Sequence, residues 1–231
     1  MSQKTIDKII LAYSGGLDTT VILHWLKKTY DAEVIVFTAD IGQDHDPKLV
    51  QQRANAIGAS KIIIEDLREE FVKDYVFPMF KANTIYEGEY LLGTSIARPL
   101  ISKRLVEIAE QEKADAIAHG ATGKGNDQIR FEIGSYSLNP DIQVIAPWRT
   151  WEFSSRADLV EYCKIHQIDI DAGPEEPLYS TDENLLHTSY EGEILEDPAI
   201  PAPEEIWKRT KSLTNASDKP CLLYTSDAAD E

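Results

Sequence analysis

Cysteine is scarce in this sequence, and its first part has no long apolar run. The 231 residues include two cysteines, Cys163 and Cys221, without CxxC or Cys/His spacing, so nothing indicates a disulfide framework or a zinc site. The first thirty residues hold one apolar run, residues 9–13, which is too short to span a membrane and lacks the cleavage site of a secretory signal. We therefore expect a cytoplasmic protein without a membrane partner.

Positive charge is also in short supply. The sequence has 23 Lys and Arg against 40 Asp and Glu, a formal net charge of −17. Binding along a phosphate backbone needs a basic patch, and none is evident, so we exclude nucleic acid as a partner. A polyanion such as ATP would have to be bound locally, by backbone N–H groups, a helix N-terminus, a few placed cations and Mg²⁺.

Apolar segments of strand length alternate with segments of helix length through most of the chain. Repeated βα units of this size predict an α/β fold with a mostly parallel, doubly wound sheet covered by helices on both faces. The predicted strands are residues 8–13, 33–38, 61–65, 114–119 and 143–146, and the predicted helices are residues 19–30, 47–57, 94–112 and 154–166, with Pro99 as the weak point of the third helix.

The composition of the sequence changes after about residue 171. Pro, Glu and Asp with scattered aromatic residues replace the periodic hydrophobic pattern there. We place a domain boundary near residue 172, which makes residues 1–172 the first domain. Residues 173–220 are too few and too polar to bury a core of their own. We expect them either to wrap the first domain or to begin a second, incomplete domain.

A glycine motif joins the first predicted strand to the first predicted helix. Its two glycines, Gly15 and Gly16, let the backbone approach a phosphate, and the helix N-terminus points unpaired N–H groups at it. Open α/β sheets bind ligands at this end of their strands. A carboxylate at Asp18 would repel a phosphate unless it caps the helix or faces a metal ion. The plain alternative is a structural glycine turn with Asp18 as its cap.

The motif is neither a Walker A loop nor a dinucleotide-binding GxGxxG. It resembles the PP-loop SGGxDS/T of ATP pyrophosphatases, with Thr20 where Ser is common. In this order, several further segments closely resemble argininosuccinate synthase, and the resemblance runs from about Ile9 to about Pro220. These segments are residues 86–95 (YEGEYLLGTS), 119–127 (HGATGKGND), 130–132 (RFE), 146–149 (APWR) and 179–184 (YSTDEN).

The resemblance implies an adenine nucleotide alpha hydrolase-like fold and three groups of binding residues. Asp127 can pair the ammonium group of aspartate, and the guanidinium of Arg130 can donate two hydrogen bonds to the α-carboxylate of citrulline. The family's pattern assigns ATP to Ala12, Tyr13, Ser14, Gly15, Gly16, Leu17, Asp18, Thr19, Thr20, Ala39 and Gly120; aspartate to Thr122, Asn126 and Asp127; and citrulline to Tyr90, Ser95, Asn126, Arg130, Ser180 and Ser189.

The implied reaction ligates citrulline to aspartate through a citrullyl adenylate, with ATP converted to AMP and pyrophosphate. It requires no side-chain nucleophile, so no catalytic residue is assigned beyond Asp18 and Lys124, the latter as a local cation. Mg²⁺ would be carried by ATP rather than by protein side chains. We interpret His119 as a satisfied buried histidine rather than a base. The full-length protein of this family is expected to be a homotetramer.

Two features of the sequence bear on activity and on the alternatives. Residues 221–231 resemble translated sequencing-adapter read-through, so we interpret them as foreign. The resemblance stops near Pro220, short of the family's usual length and of the domain that completes the citrulline site, so we expect this chain to bind ATP weakly and to turn over poorly or not at all. Other PP-loop ligases remain open, although the missing basic patch disfavours the tRNA enzymes, and the missing N-terminal Cys or glutaminase half disfavours the amidotransferases. A non-catalytic nucleotide-binding module is the third reading, disfavoured by Thr122, Asn126 and Asp127.

Overall fold

A computed structural model describes residues 5–122, 125–169, 179–207, 209–211 and 213–216. The described residues fall into two compact units. The first holds the residues up to 169 together with Asp182–Ser189, and the second holds residues 179–181 and those from Tyr190 onward. The predicted boundary near residue 172 and the predicted foreign tail, residues 221–231, lie outside the described residues.

The first unit is built on a sheet of five parallel strands in the order β3-β2-β1-β4-β5. The mostly parallel α/β sheet expected from the sequence is confirmed. Each predicted strand is present, although the first ends one residue earlier than expected. The strands are β1 Lys8–Ala12, β2 Glu33–Asp40, β3 Lys61–Asp66, β4 Ala116–Ala118 and β5 Gln143–Ile145.

Helices cover both faces of the sheet, which confirms the doubly wound arrangement. They are α1 Leu17–Tyr30, α2 Pro47–Ile57, α3 Arg68–Glu70, α4 Phe77–Lys81, α5 Gly93–Glu112, α6 Asp127–Leu138, α7 Pro147–Thr150 and α8 Arg156–His166. α5 continues through Pro99. No helix in the described part of the chain is both long and apolar enough to cross a bilayer.

Successive residues of β1 are buried against opposite helix layers because strand side chains alternate between faces. Ile10 packs in a cluster with α5 residues such as Leu105, whereas Ile9 and Leu11 pack in a second cluster with α1 residues such as Leu23. All are fully buried, and each such side chain contributes about 1.5–3 kcal/mol of hydrophobic stabilisation. The central strand therefore fixes both layers around one sheet.

Local signals explain where two of the predicted helices begin and end. α2 starts after Asp46, whose side chain accepts a hydrogen bond from the Lys48 N–H, and it ends at Gly58 in the left-handed conformation (φ 85°). α8 begins at a capping box in which Ser155 and Asp158 bond to each other's backbone N–H.

Some elements were not expected from the sequence. A π-helical turn, Phe71–Val76, joins α3 to α4 just before Pro78, where a proline without an N–H interrupts the regular ladder. β6 Ser180–Glu183 and β7 Thr188–Glu191 form a separate two-stranded sheet. The side-chain oxygen of Asn184 accepts from the Leu186 and His187 N–H groups, which stabilises the turn between them. The second unit contains the short 3₁₀ helices Glu193–Glu196, Glu204–Ile206 and Leu213–Asn215.

Candidate active site

The sheet order creates a crevice at the carboxyl ends of β1 and β4. These strands are neighbours, but β1 leads into α1 on one face while β4 is followed along the chain by α6, which packs with α5 on the other. Loops that leave adjacent strands in opposite directions open a ligand site between them. The glycine motif follows β1 here, and the loop after β4 carries the residues expected to bind aspartate.

Tyr13 anchors the glycine motif to the sheet. Its N–H donates to the Phe37 carbonyl at 2.8 Å, and its carbonyl accepts from the Thr38 hydroxyl at 2.6 Å. Its own hydroxyl lies 3.1 Å from Thr20 Oγ1, and burial raises its pKa above the ordinary value. Tyr13 is therefore a neutral, hydrogen-bonded support beneath the motif.

Hydroxyl groups and a glycine with positive φ shape the motif itself. Ser14 Oγ and Thr19 Oγ1 are 3.0 Å apart, and Ser14 Oγ also accepts from the Gly16 N–H at 3.3 Å. Gly15 has φ +80°, a conformation that favours glycine, and a Cβ there would come within 3.1 Å of Val50 Cγ2. Its carbonyl accepts from Arg53 at 2.8 Å. This arrangement holds the backbone close to whatever occupies the crevice.

The start of α1 is suited to an anion. Its N-cap residue is Gly16, which has no side chain to offer the first helical N–H groups. Asp18, in the first turn, is half-buried; desolvation raises the pKa of its carboxyl, partly offset by Arg156. Asp18 is thus not the N-cap of α1, and the simple structural-cap alternative for this residue is wrong.

Gly120 brings the loop after β4 against the glycine motif. A Cβ on Gly120 would lie 3.2 Å from Thr19 Cγ2 and 3.3 Å from Ile22 Cδ1. Ala39, at the end of β2, is half-buried, and its carbonyl accepts from the Gln43 side chain at 2.7 Å. The residues expected to bind ATP thus follow three adjacent strands at the same edge of the sheet.

Asp127 lies between two arginines. Its Oδ2 accepts from Arg98 Nε and its Oδ1 from Arg130 NH1, both at 2.6 Å. Asn126 precedes α6 and is exposed, as is Thr122, whose carbonyl accepts from the Gly125 N–H. The three residues expected to bind aspartate therefore share the loop before α6, and Asp127 has cationic neighbours that the sequence analysis did not foresee.

Arg98 is the main functional candidate that sequence reasoning missed. It lies on α5, one turn after Ser95, and bonds Asp182 at 2.9 Å as well as Asp127. The two carboxylates raise its pKa, and its guanidinium lies over the Phe131 ring. Arg98 is the one charged residue among the first ten of α5 and directly precedes Pro99, and this was the signal that could have singled it out.

The residues expected to bind citrulline gather in part around the start of α5. The Tyr90 ring packs edge-on against His187, whose Nε2 accepts from the Gly93 N–H at 2.7 Å. Ser189 Oγ is 3.2 Å from Thr94 Oγ1, next to Ser95. Ser180 begins β6 in the second unit and is exposed. His187 is a further neighbour that the sequence analysis did not identify.

The structure bears on the expectation for His119 but not on the one for Lys124. His119 is buried and stacks on Phe131, with ring centroids 4.8 Å apart. Its Nδ1 accepts from the Ala121 N–H, whereas Nε2 has no hydrogen-bond partner within the described residues. Burial, reinforced by Arg149, lowers its pKa to about 4. The ring is thus buried and neutral, but only half satisfied. Lys124 lies outside the described residues.

Comparison with known protein families places most of this chain in one family. Residues 8–169 match the arginosuccinate synthase N-terminal HUP domain, and residues 179–226 match the arginosuccinate synthase C-terminal domain. The chain belongs to the argininosuccinate synthase family. This membership confirms the resemblance found in the sequence and sets aside the other PP-loop ligases.

Individual argininosuccinate synthases are similar over most of this chain. The protein of Bartonella tribocorum is 61% identical over 217 residues, which are 94% of this chain and 53% of the relative. That of Psychrobacter arcticus is 61% identical over 96% of this chain and 55% of the relative. That of Dinoroseobacter shibae is 62% identical over 92% and 53%. The chain thus spans about half the length of the curated relatives it matches.

Proposed function

We propose that this chain supplies the ATP-binding part of an argininosuccinate synthase, which ligates citrulline and aspartate and converts ATP to AMP and pyrophosphate. The observation that carries the proposal is the convergence at the crevice, where Gly120 lies so near the glycine motif that an added Cβ would come within 3.2 Å of Thr19 Cγ2. A nucleotide on the motif would then lie beside the loop that carries Thr122, Asn126 and Asp127. A pure nucleotide-binding module has no need of that second loop.

In the proposed reaction, the ureido oxygen of citrulline attacks the α-phosphorus of ATP and pyrophosphate leaves. The amine of aspartate then attacks the activated ureido carbon of the citrullyl adenylate, and AMP leaves with the bonding electron pair. Neither step needs a covalent bond to the protein. The chain's part is to position the substrates and to stabilise charge that develops on phosphate.

The described residues can divide this work between them. The backbone N–H groups of the glycine motif and the start of α1 would hold phosphate oxygens. A guanidinium has five N–H donors, so Arg130 can keep its bond to Asp127 and still offer donors to the citrulline carboxylate. Asp127 could accept the substrate ammonium with its remaining lone pairs, while Arg98 fixes the orientation of its carboxylate.

Mg²⁺ belongs to the proposal as a companion of ATP. In the described residues there is no cluster of three or more His, Cys, Asp or Glu that could hold a metal ion. We propose that the cation is held mainly by triphosphate oxygens, as Mg²⁺ in nucleotide sites usually is. When bound, the ion would neutralise charge on the departing pyrophosphate.

We also propose the cellular location, the assembly and the partners of the whole protein. A cytoplasmic location and a homotetrameric full-length assembly follow from the family resemblance, and the acidic net charge of −17 supports the absence of a nucleic-acid partner. The family's pattern assigns Ser180, within the range matched to the C-terminal domain, to citrulline binding, and we propose this role for it on that pattern alone.

Calorimetry with a non-hydrolysable ATP analogue tests this function on the chain itself. We expect analogue binding that depends on Mg²⁺, followed by heat on adding aspartate and citrulline. Analogue binding with no response to either amino acid would instead favour a non-catalytic nucleotide-binding module.

A further inference from the structure

Both backbone polar groups of Ala121 are held by buried side chains. Its N–H donates to His119 Nδ1 at 3.3 Å, and its carbonyl accepts from Gln128 Nε2 at 2.9 Å. His119 is 1% exposed and Gln128 is 3% exposed. Ala121 lies in the turn directly after Gly120 and directly before Thr122. The loop after β4 is therefore held by His119, directly after the strand, and by Gln128 in α6.

The first contact fixes the tautomer of His119. A backbone N–H can only donate, so the Nδ1 atom that faces Ala121 must carry a lone pair, and in the neutral ring the proton lies on Nε2. Protonation of the ring would turn Nδ1 into a donor aimed at another donor. The stack on Phe131 holds the ring in this orientation.

The second contact is fixed by Arg149. Its Nε donates to Gln128 Oε1, and its NH1 donates to Glu132. Because a guanidinium only donates, the carbonyl end of the Gln128 amide must face Arg149, and the NH₂ end must face the Ala121 carbonyl. Glu132, Arg149 and Gln128 thus form a directed chain of hydrogen bonds that ends on the turn after β4.

We propose that His119 and Gln128 are positioning residues that clamp Ala121 and so set the places of Gly120 and Thr122 for substrate. The hydrogen bonds of the clamp do not depend on the proposed function. Only the purpose given to them does, because Gly120 and Thr122 are the expected contacts for ATP and aspartate. Neither residue needs to touch a substrate. The clamp explains why a histidine and a glutamine, rather than apolar side chains, are buried at this point of the core.

The charges around His119 support the same reading. Arg149 follows β5, Arg98 projects from α5 and Asp127 begins α6; the arginines disfavour the imidazolium and Asp127 favours it, but burial has the largest effect. The lowered pKa keeps the ring neutral, and the clamp intact, through the neutral pH range.

Amide hydrogen exchange of Ala121 tests the clamp without any substrate. His119→Phe keeps an aromatic ring for the stack on Phe131 but removes the acceptor, whereas His119→Asn offers Oδ1 close to the position of Nδ1. We expect the protection of the Ala121 amide, measured against the amides of β4, to fall about fivefold or more in His119→Phe and to be largely restored in His119→Asn. Unchanged protection in His119→Phe would overturn the proposal, as would equal loss in both variants.

Two further arms keep the test decisive if His119→Phe does not fold. In the wild-type chain, Ala121 protection corrected for intrinsic exchange should fall more steeply than β4 protection as the pH approaches 4; a parallel fall of both would contradict the clamp. Gln128→Glu still accepts from Arg149 but sets a carboxylate oxygen against the Ala121 carbonyl. It should lower aspartate affinity by about fivefold or more in the presence of the ATP analogue. If wild type binds neither ligand, the proposed function fails, and the exchange experiments still decide the clamp.

Discussion

Asp127 Oδ2 accepts a hydrogen bond of 2.6 Å from Arg98 Nε, joining the start of α6 to the interior of α5. Each side chain is only 20% exposed. Salt and water therefore weaken this ion pair much less than they weaken a pair on the surface. Arg130 and Asp182 extend the pair into a network of four charges. This network holds the predicted aspartate loop against the helix that carries Ser95.

Asp127→Ala should destabilise the protein because it leaves Arg98 with one carboxylate instead of two. We expect the free energy of unfolding to fall by about 1–3 kcal/mol, as when a buried charge-assisted hydrogen bond is broken. Urea unfolding monitored by tryptophan fluorescence measures the loss. The control is Glu161→Ala, which breaks an exposed pair with Lys164 and should cost less than about 0.5 kcal/mol. Equal effects of the two substitutions would contradict the role given to the network.

Gly15→Ala tests the tight turn of the glycine motif. The substitution places a Cβ on a residue with φ +80° and within 3.1 Å of Val50, so strain and crowding act together. We expect a loss of about 2 kcal/mol in stability and a clear loss of affinity for Mg-ATP. Gly88→Ala is the matched control, because Gly88 has φ +81° but nothing within 4 Å of the added atom. It should cost only the backbone strain, about 1 kcal/mol, and leave nucleotide affinity unchanged.

The buried His119 should make stability sensitive to acid. Its pKa is about 4 against an ordinary 6.5, so between these values the unfolded state binds more protons than the folded state. Stability contributed by this group is therefore complete above pH 6.5 and lost as the pH falls toward 4, by about 3 kcal/mol in total. Unfolding free energies of wild type and His119→Asn across this range isolate the effect, since the carboxylates titrate in both. A constant difference between the two proteins would contradict it.

The sequence predicted the five strands and four of the helices of the first unit because their signals are local, but α6 Asp127–Leu138 was not among the predicted helices. The apolar run of β1, the Pro47 and Gly58 that bracket α2, and the serine before α8 each act within a few residues. The strand order could not be predicted in the same way, because periodicity does not say which strands pair. The segment around Pro78 was missed because its π-helical turn follows neither regular period.

The site was predicted less completely than the fold. The glycine motif was recognisable because strand, glycines and helix adjoin in sequence. Asp127 was expected to pair the ammonium group of aspartate, yet its partner Arg98 lies 29 residues earlier and reaches it through the packing of α5 on α6. His187 reaches Gly93 across 94 residues. Contacts of this range depend on tertiary structure, and no local pattern in one sequence reports them.

Pyrophosphate release from Mg-ATP, measured with and without citrulline and aspartate, tests the central claim most directly. The assay should be run on this chain and on a version extended to the length of its relatives. We predict that release in the extended protein requires citrulline and aspartate together for turnover, and that this chain alone shows little or none. Release that ignores both amino acids, or none from the extended protein with all substrates present, would contradict the assignment.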